Sequence, residues 1–316
     1  MNKNLIQTNI PLANKNWFKT GGNARFFAQP TIATEFQYAL QYAHQNQLPL
    51  FILGQGANIL ISDAGFDGMV INPKGNSIQL LDYDADHMLV KADAGVTLAA
   101  LIDYCLDHNV SGLEEFSGIP GTVGGSVFIN LHYFQFLLAD FLVEAEVIDK
   151  NNGTIHSVDI AWFQFGYNAS RLQTNDYYLA TATFKVKKVS ELQTAFARGR
   201  SVEIIRHRTA RYPNKNTCGS FFRNFHEDEV SLMSNGKKLI YVAYYLDKIG
   251  IKGILSHGDA IVSYQHANMI VNQGKATSAD IITVARIMQQ RVFDQFGILP
   301  QPECRLVGFN EYPLFS

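Results

Sequence analysis

The chain has 316 residues, 47% of them hydrophobic and 17% charged, with a formal net charge of −2. That length allows two or three domains and that composition excludes a disordered chain. So small a net charge gives no general attraction to nucleic acid or to a membrane surface, and neither is expected as a partner. Three widely spaced cysteines, Cys105, Cys218 and Cys304, fit neither a disulfide framework nor a zinc site, so free thiols and no metal are expected. The stretch MNKNLIQTNIPLANKNWFKTGG lacks the apolar core of a signal peptide, and no run approaches the roughly 18 apolar residues of a spanning helix. A cytoplasmic protein is the expectation. The absence of heptads gives no push toward assembly, so a monomer is expected.

Residues 31–46 place Ile32, Phe36, Ala39, Leu40 and Ala43 at steps of three and four, which predicts an amphipathic helix. PLFIL at 49–53 reads as a buried strand. MVIN at 69–72, IQLLDY at 78–83 and HMLVKADAG at 87–95 are further strand candidates. Thr97 caps a predicted helix with Leu98, Leu101, Ile102, Cys105 and Leu106 on one side. VEAEVID at 143–149 and TIHSVD at 154–159 flank Asn151-Asn152-Gly153, a hairpin signal. In YYLATATFKVKK, Ala180, Ala182, Phe184 and Val186 alternate with Thr181, Thr183, Lys185 and Lys187, the pattern of a half-buried strand. Residues 191–211 turn helical and basic, with Arg198, Arg200, Arg206, Arg208 and Arg211. They are either a solvated face or a rim for an anionic ligand. Thr277 and Asp280 form a capping box, and Gly297 stops the helix that they open. Strands and helices mix throughout, which predicts an α+β or α/β class. Composition shifts near 75 and 205 suggest domains over 1–75, 76–205 and 206–316.

Two glycine-rich loops stand out, GQGANILISDAGFDG at 54–68 and GIPGTVGG at 118–125. Glycine lets a ligand approach the main chain closely, and successive backbone N–H groups in such turns suit phosphates. Two of them suggest one pyrophosphate held from two sides. A Rossmann fingerprint needs G-x-G-x-x-G opening a helix, whereas Ile59 occupies the third glycine position here and ILIS is β-prone. Ordinary turns are the plain alternative; the glycine density around Pro120 favours a ligand cradle.

Later in the chain, Gly219 would place the Ser220 hydroxyl on a tight turn. No G-x-S-x-G is present, so a hydrolase triad is not expected. Lys252 and His266 fall where loops meet apolar strands, and Glu303 sits in a run with few other charges.

In order, KTGGNARF, LGQGANILISDAGFDGMVI, GIPGTVGG, GSFFRN, IKG, HANMIVN and QPECR resemble the motif series of the UDP-N-acetylenolpyruvoylglucosamine reductase family, the flavoenzymes that make UDP-N-acetylmuramate for peptidoglycan. The short span before Ser220 resembles the subgroup lacking an extra tyrosine-bearing loop. The resemblance implies an α+β fold: a two-part FAD-binding region of the vanillyl-alcohol-oxidase/PCMH type over 1–75 and 76–205, and a C-terminal α+β substrate domain over 206–316. It implies that Gly54, Gln55, Gly56, Ala57, Asn58 and Ile59, with Gly118, Ile119, Gly121, Thr122, Gly124 and Gly125, bind FAD. NADPH would reduce the flavin and leave, and the enolpyruvyl UDP-sugar nucleotide would take its place. Ser220 matches the family's proton donor and Glu303 its late glutamate. Asn224, Lys252 and His266 match contacts of the nucleotide diphosphate.

Two departures stand beside this match. The family's Tyr-Arg-x-Ser motif reads Tyr167-Asn168-Ala169-Ser170 here, so Asn168 occupies the position of the arginine that steadies the developing enolate. Asparagine can donate a hydrogen bond but brings no charge. Arg171 would share that face on a helix and point away on a strand. After Asn130 the family continues with Ala-Gly-Ala-Tyr-Gly, whereas this chain reads LHYFQFLLADF, either a wall near the flavin or a repacked junction. Two further readings therefore stay open: a flavin oxidoreductase of the same fold acting on another substrate, and a catalytically impaired flavin-binding paralogue.

Overall fold

The structure is a computed structural model describing residues 5–316; the first four residues of the amino-terminal stretch lie outside it. The chain divides into two compact units. Of the described residues, the first comprises 5–9, 26–55 and 67–208; the second comprises 10–25, 56–66 and 209–316. Both are built from interleaved segments, so neither follows a simple cut along the sequence.

The first unit holds the larger sheet and most of a four-stranded one. In the smaller, the order is Ile6–Pro11, Asn23–Ala28, Phe66–Ile71, Leu50–Ile52, and the last pair runs parallel with Phe51 opposite Val70. Helix Ala33–Gln45 buries Phe36, Ala39, Leu40 and Ala43 at the predicted spacing, in a core with Ala28, Met69 and Ile71, whereas Ile32, expected on the same face, precedes the helix in extended conformation and is 61% exposed. The larger sheet is antiparallel, ordered Ile155–Asp159, Leu142–Asp149, Tyr177–Lys188, His87–Asp93, Ile78–Asp82. Val110–Ser111 pairs with the far end of its long middle strand. Thr183 on that strand is buried although alternation put it on the wet face. Helix Leu98–Asp107 begins at Thr97, whose side chain accepts the Ala100 N–H, and packs Leu101, Ile102, Cys105 and Leu106 into this second core.

The 191–211 segment is one helix, Glu191–Arg211. Its basic character is largely paired. Arg198 meets Asp107, Arg200 meets Glu115 and Arg206 meets Glu203, while Arg208 lies 5.2 Å over the Tyr133 ring. For Arg198, Arg200 and Arg206 the solvated-face reading holds.

The second unit has its own core, contributed by Phe18, Leu60, Phe221, Phe222, Tyr245, Ile270, Met288 and their neighbours. Helix Ser278–Phe296 carries the predicted capping box, with Thr277 and Asp280 bonding reciprocally, and ends at the left-handed Gly297. Strand Ile59–Ile61 pairs in parallel with Arg305–Val307 near the end of the chain. No helix among the described residues is long and apolar enough to cross a membrane.

Candidate active site

The first glycine loop leaves strand Leu50–Ile52, whose successor Leu53 is buried. Asn72 holds the turn from below, its Nδ2 donating to the carbonyls of Leu53 and Gly54. Gly56 lies at φ +67°, and a Cβ there would come within 2.7 Å of the Asn16 backbone, so only glycine fits. Trp17 N–H donates to the Gly56 carbonyl. Asn58 joins the loop to the chain end: its carbonyl accepts from Arg305 N–H, and its Nδ2 donates to the Glu303 carbonyl at 3.4 Å.

The second loop opens the short helix Val123–Phe128. Thr122 caps it by accepting the Gly125 N–H at 3.2 Å. The N–H groups of Val123 and Gly124 are used inside the protein, donating to the carbonyls of Val96 and Ala94. A Cβ on Gly124 would meet Ala94 at 3.1 Å, so that glycine lets the helix sit against the strand end. Of this loop, the N–H groups of Ile119, Val123, Gly124 and Gly125 are thus all committed within the protein.

The two loops meet. A Cβ on Gly54 would stand 2.8 Å from the Thr122 Oγ1. Asn58 Oδ1 is buried and accepts no hydrogen bond from the protein, which marks a place where a ligand donor belongs. The close approach of Gly54 to Thr122 leaves main chain rather than side chains at this junction, which suits the phosphate chain of a dinucleotide such as FAD.

Ser220, Asn224, Lys252, His266 and Glu303 all belong to the second unit. Ser220 and Glu303 come together through the main chain. The Phe221 carbonyl accepts from both Glu303 N–H and Cys304 N–H, and Phe222 bridges to Pro302. Buried Asn268 locks this ladder, with Oδ1 accepting from Phe222 N–H at 3.0 Å and Nδ2 donating to the Phe222 carbonyl at 2.7 Å. Gly219 stands at φ +80°, with no atom within 4 Å of where its Cβ would lie, so Ser220 follows a turn with open space beside it.

His266 lies two residues from that lock. Its Nδ1 accepts from Asn268 N–H at 3.3 Å, which leaves the ring proton on Nε2. Burial holds its pKa below the usual imidazole value, and the charges of Lys252 and Arg211 push the same way against the opposing pull of Asp247. Lys252 is 3.8 Å from Asp247. Arg211 joins this cluster although sequence reasoning read it only as part of a helical basic run. Asn224 also has a local duty: its Oδ1 accepts from Val242 N–H at the start of helix Val242–Lys248.

In the first unit, Tyr167 and Asn168 are the two central residues of a tight turn closed by Gly166 N–H to Ala169 O and Ala169 N–H to Gly166 O. Asn168 has φ +53°. Arg171 starts a short 3-10 helix, and its guanidinium lies 4.6 Å over the Trp162 ring and 5.8 Å from that of Tyr177. It is engaged by those rings. Of the divergent 131–141 stretch, Leu131 and Leu138 enter the core, His132–Tyr133 pairs with Phe136–Leu137, and Phe134 is exposed at the bend.

Residues 24–159 match the family described as FAD binding domain, and residues 212–307 match the C-terminal domain of UDP-N-acetylenolpyruvoylglucosamine reductase. The chain is similar to the UDP-N-acetylenolpyruvoylglucosamine reductase of Synechococcus sp. (strain JA-3-3Ab), at 32% identity over 98% of this chain and 94% of that one. A second such reductase, from Chlamydia trachomatis serovar A, is 32% identical over 96% of this chain and 97% of its own. Among solved structures, UDP-N-acetylenolpyruvylglucosamine reductase from Thermus caldophilus superposes with a TM-score of 0.74 at 26% identity, over 96% of this chain and 98% of that one. The chain belongs to the UDP-N-acetylenolpyruvoylglucosamine reductase family, with an α+β fold that includes an FAD-binding domain.

Proposed function

We propose that the protein is a flavoenzyme that uses FAD and NADPH to reduce UDP-N-acetylglucosamine enolpyruvate to UDP-N-acetylmuramate. It would act as a cytoplasmic monomer in peptidoglycan precursor synthesis. The observation that carries this reading is the joining of Ser220 and Glu303 on neighbouring segments of the second unit, in a chain whose glycine loops meet at Gly54 and Thr122. The three hydrophobic cores, gathered mainly from residues 5–71, 90–197 and 218–314, support two FAD-binding subdomains over 1–75 and 76–205 and a substrate domain over 206–316.

FAD, when bound, supplies the hydride that adds to the terminal carbon of the enol ether. The glycine loops at 54–59 and 118–125 would hold its diphosphate. Lys252, neutral His266 through Nε2, and Asn224 hold the diphosphate of the sugar nucleotide, a cation and neutral donors around a dianion. Ser220 Oγ gives its proton to the carbon next to the substrate carboxylate, and Glu303 polarises that region. Proton donation by a positioned group contributes roughly 10²–10⁴ in rate. Asn168 offers a hydrogen bond where relatives of this motif pattern carry an arginine. The missing charge is the one observation that favours the other two readings, an oxidoreductase of the same fold with another substrate or a catalytically impaired flavin-binding paralogue.

Anaerobic half-reactions test the proposal. NADPH should bleach a yellow holoenzyme, and the enolpyruvyl nucleotide should then reoxidise it. Bleaching without reoxidation by that nucleotide removes this substrate in favour of another.

A further inference from the structure

Two asparagines in the first unit each carry an amide atom that the protein leaves unused. Asn130 is 6% exposed, and its Oδ1 accepts no hydrogen bond. Asn168 buries an Nδ2 that donates to nothing. Both stand in the left-handed region, at φ +47° and +53°. They are fastened to each other through one residue: Asn130 Nδ2 donates to the Gly166 carbonyl at 3.0 Å, and Gly166 closes the turn that presents Asn168. That bond also fixes which side of the Asn130 amide is the oxygen.

The turn is braced from behind. Ser170 Oγ donates to the Phe128 carbonyl at 2.7 Å, and Gln173 Nε2 donates to the carbonyls of Phe128 and Asn168. A buried donor and a buried acceptor left unpaired in so well-tied a place each call for a partner from outside the chain.

We propose that Asn130 Oδ1 and Asn168 Nδ2 together read a neutral amide or imide of the bound ligand, taking its N–H on the first and its C=O on the second. A carboxylate or enolate offers only acceptors and would leave Asn130 Oδ1 facing a lone pair. No charge is supplied to favour an anion here, because the Arg171 guanidinium is held over Trp162 and Tyr177. His132, whose ring lies 5.2 Å from that of Tyr167, is kept toward its neutral form by burial. This rests on the flavin and sugar-nucleotide reading. Both ligands carry the required chemistry, one in the flavin's pyrimidine ring and one in the nucleotide.

The test uses the oxidised holoenzyme and needs no turnover. Asn168→Asp exchanges the unused donor for an acceptor of the same shape. A carboxylate at so buried an atom should lower the melting temperature, and ligand affinity should fall about tenfold or more. Asn168→Gly keeps the left-handed backbone and adds no charge; because Nδ2 makes no bond within the protein, it should hold the melting temperature and give a similar loss of affinity. FAD affinity is read from the flavin fluorescence released on dilution, and nucleotide affinity from its perturbation of the flavin spectrum. Loss of FAD affinity assigns the pair to the flavin imide; loss of nucleotide affinity alone assigns it to the substrate. Unchanged affinity for both, within twofold in both variants, overturns the inference while leaving the proposed function standing. A native protein that takes up no FAD overturns both.

Discussion

Gly54→Ala puts the meeting of the two glycine loops under direct test. The added Cβ would lie 2.8 Å from the Thr122 Oγ1 and 3.8 Å from its Cβ and Cγ2. The oxygen is the obstacle, and it is not free to turn away. It accepts the Gly125 N–H at 3.2 Å and so caps the Val123–Phe128 helix. Rotating it away gives up an N-cap worth about 1 kcal/mol. Keeping it forces the two loops apart and leaves each amide misplaced for the diphosphate. Either route should weaken FAD binding by about tenfold or more, since each 1.4 kcal/mol is a factor of ten. The assay is titration of apoprotein with FAD by fluorescence quenching, beside a thermal melt. In a Thr122→Ala background the colliding oxygen is gone. Gly54→Ala should then cost little more, a non-additivity expected only of residues in contact. Native-like FAD affinity in Gly54→Ala, or two losses that simply add, would refute the account of the loops.

Ser220→Ala should leave reduction of the flavin by NADPH intact and slow reoxidation by the enolpyruvyl nucleotide by roughly 10²–10⁴; equal damage to both half-reactions in stopped-flow traces counts against a proton-donor role. Thr277→Ala removes one half of the capping box and should cost about 1 kcal/mol, a melting temperature lower by a few degrees with FAD affinity unchanged. The Arg223 guanidinium, bonded to both Glu229 oxygens at 2.7 Å, is the main cause holding that carboxyl down to about 2 against a usual 4.5. The folded value is depressed, so its contribution to stability is full above pH 4.5 and is lost as pH falls toward 2; Glu229→Gln should flatten that part of a denaturation-versus-pH curve. Burial pushes the Cys105 thiol up to about 12 and Cys304 well above its ordinary value, so native protein should be slow to react with a thiol reagent and release three equivalents once unfolded.

The strongly patterned elements were legible in sequence because local chemistry decides them. Thr97, Thr277, Asp280 and Gly297 end their helices as their residue types predict, and the Ala33–Gln45 helix buries the face that its spacing marks. Helix Val123–Phe128 was not, because Gly124 and Gly125 are poor helix formers and contacts to Ala94 and Val96 hold its first turn. Helix Val242–Lys248 has no side-chain cap of its own; Asn224, far upstream, supplies one acceptor. The pairing of Ile59–Ile61 with Arg305–Val307 leaves no local trace in either segment. At the site, the glycine loops and the Ser220 and Glu303 segments could be singled out by residue type and motif order. The unused amide atoms of Asn130 and Asn168, and the capture of Arg171 by two rings, depend on which groups fold against which.

The parallel pairing of Ile59–Ile61 with Arg305–Val307 also bears on how the molecule is made. A ribosome releases the Gly54–Ile59 segment early, yet the strand that continues it gains its neighbour only once Arg305–Val307 have emerged. On the proposed reading of that segment, nascent chains or products truncated before Arg305 should hold flavin poorly however well their other parts have formed, and retention of the yellow colour can report that this pairing has been made.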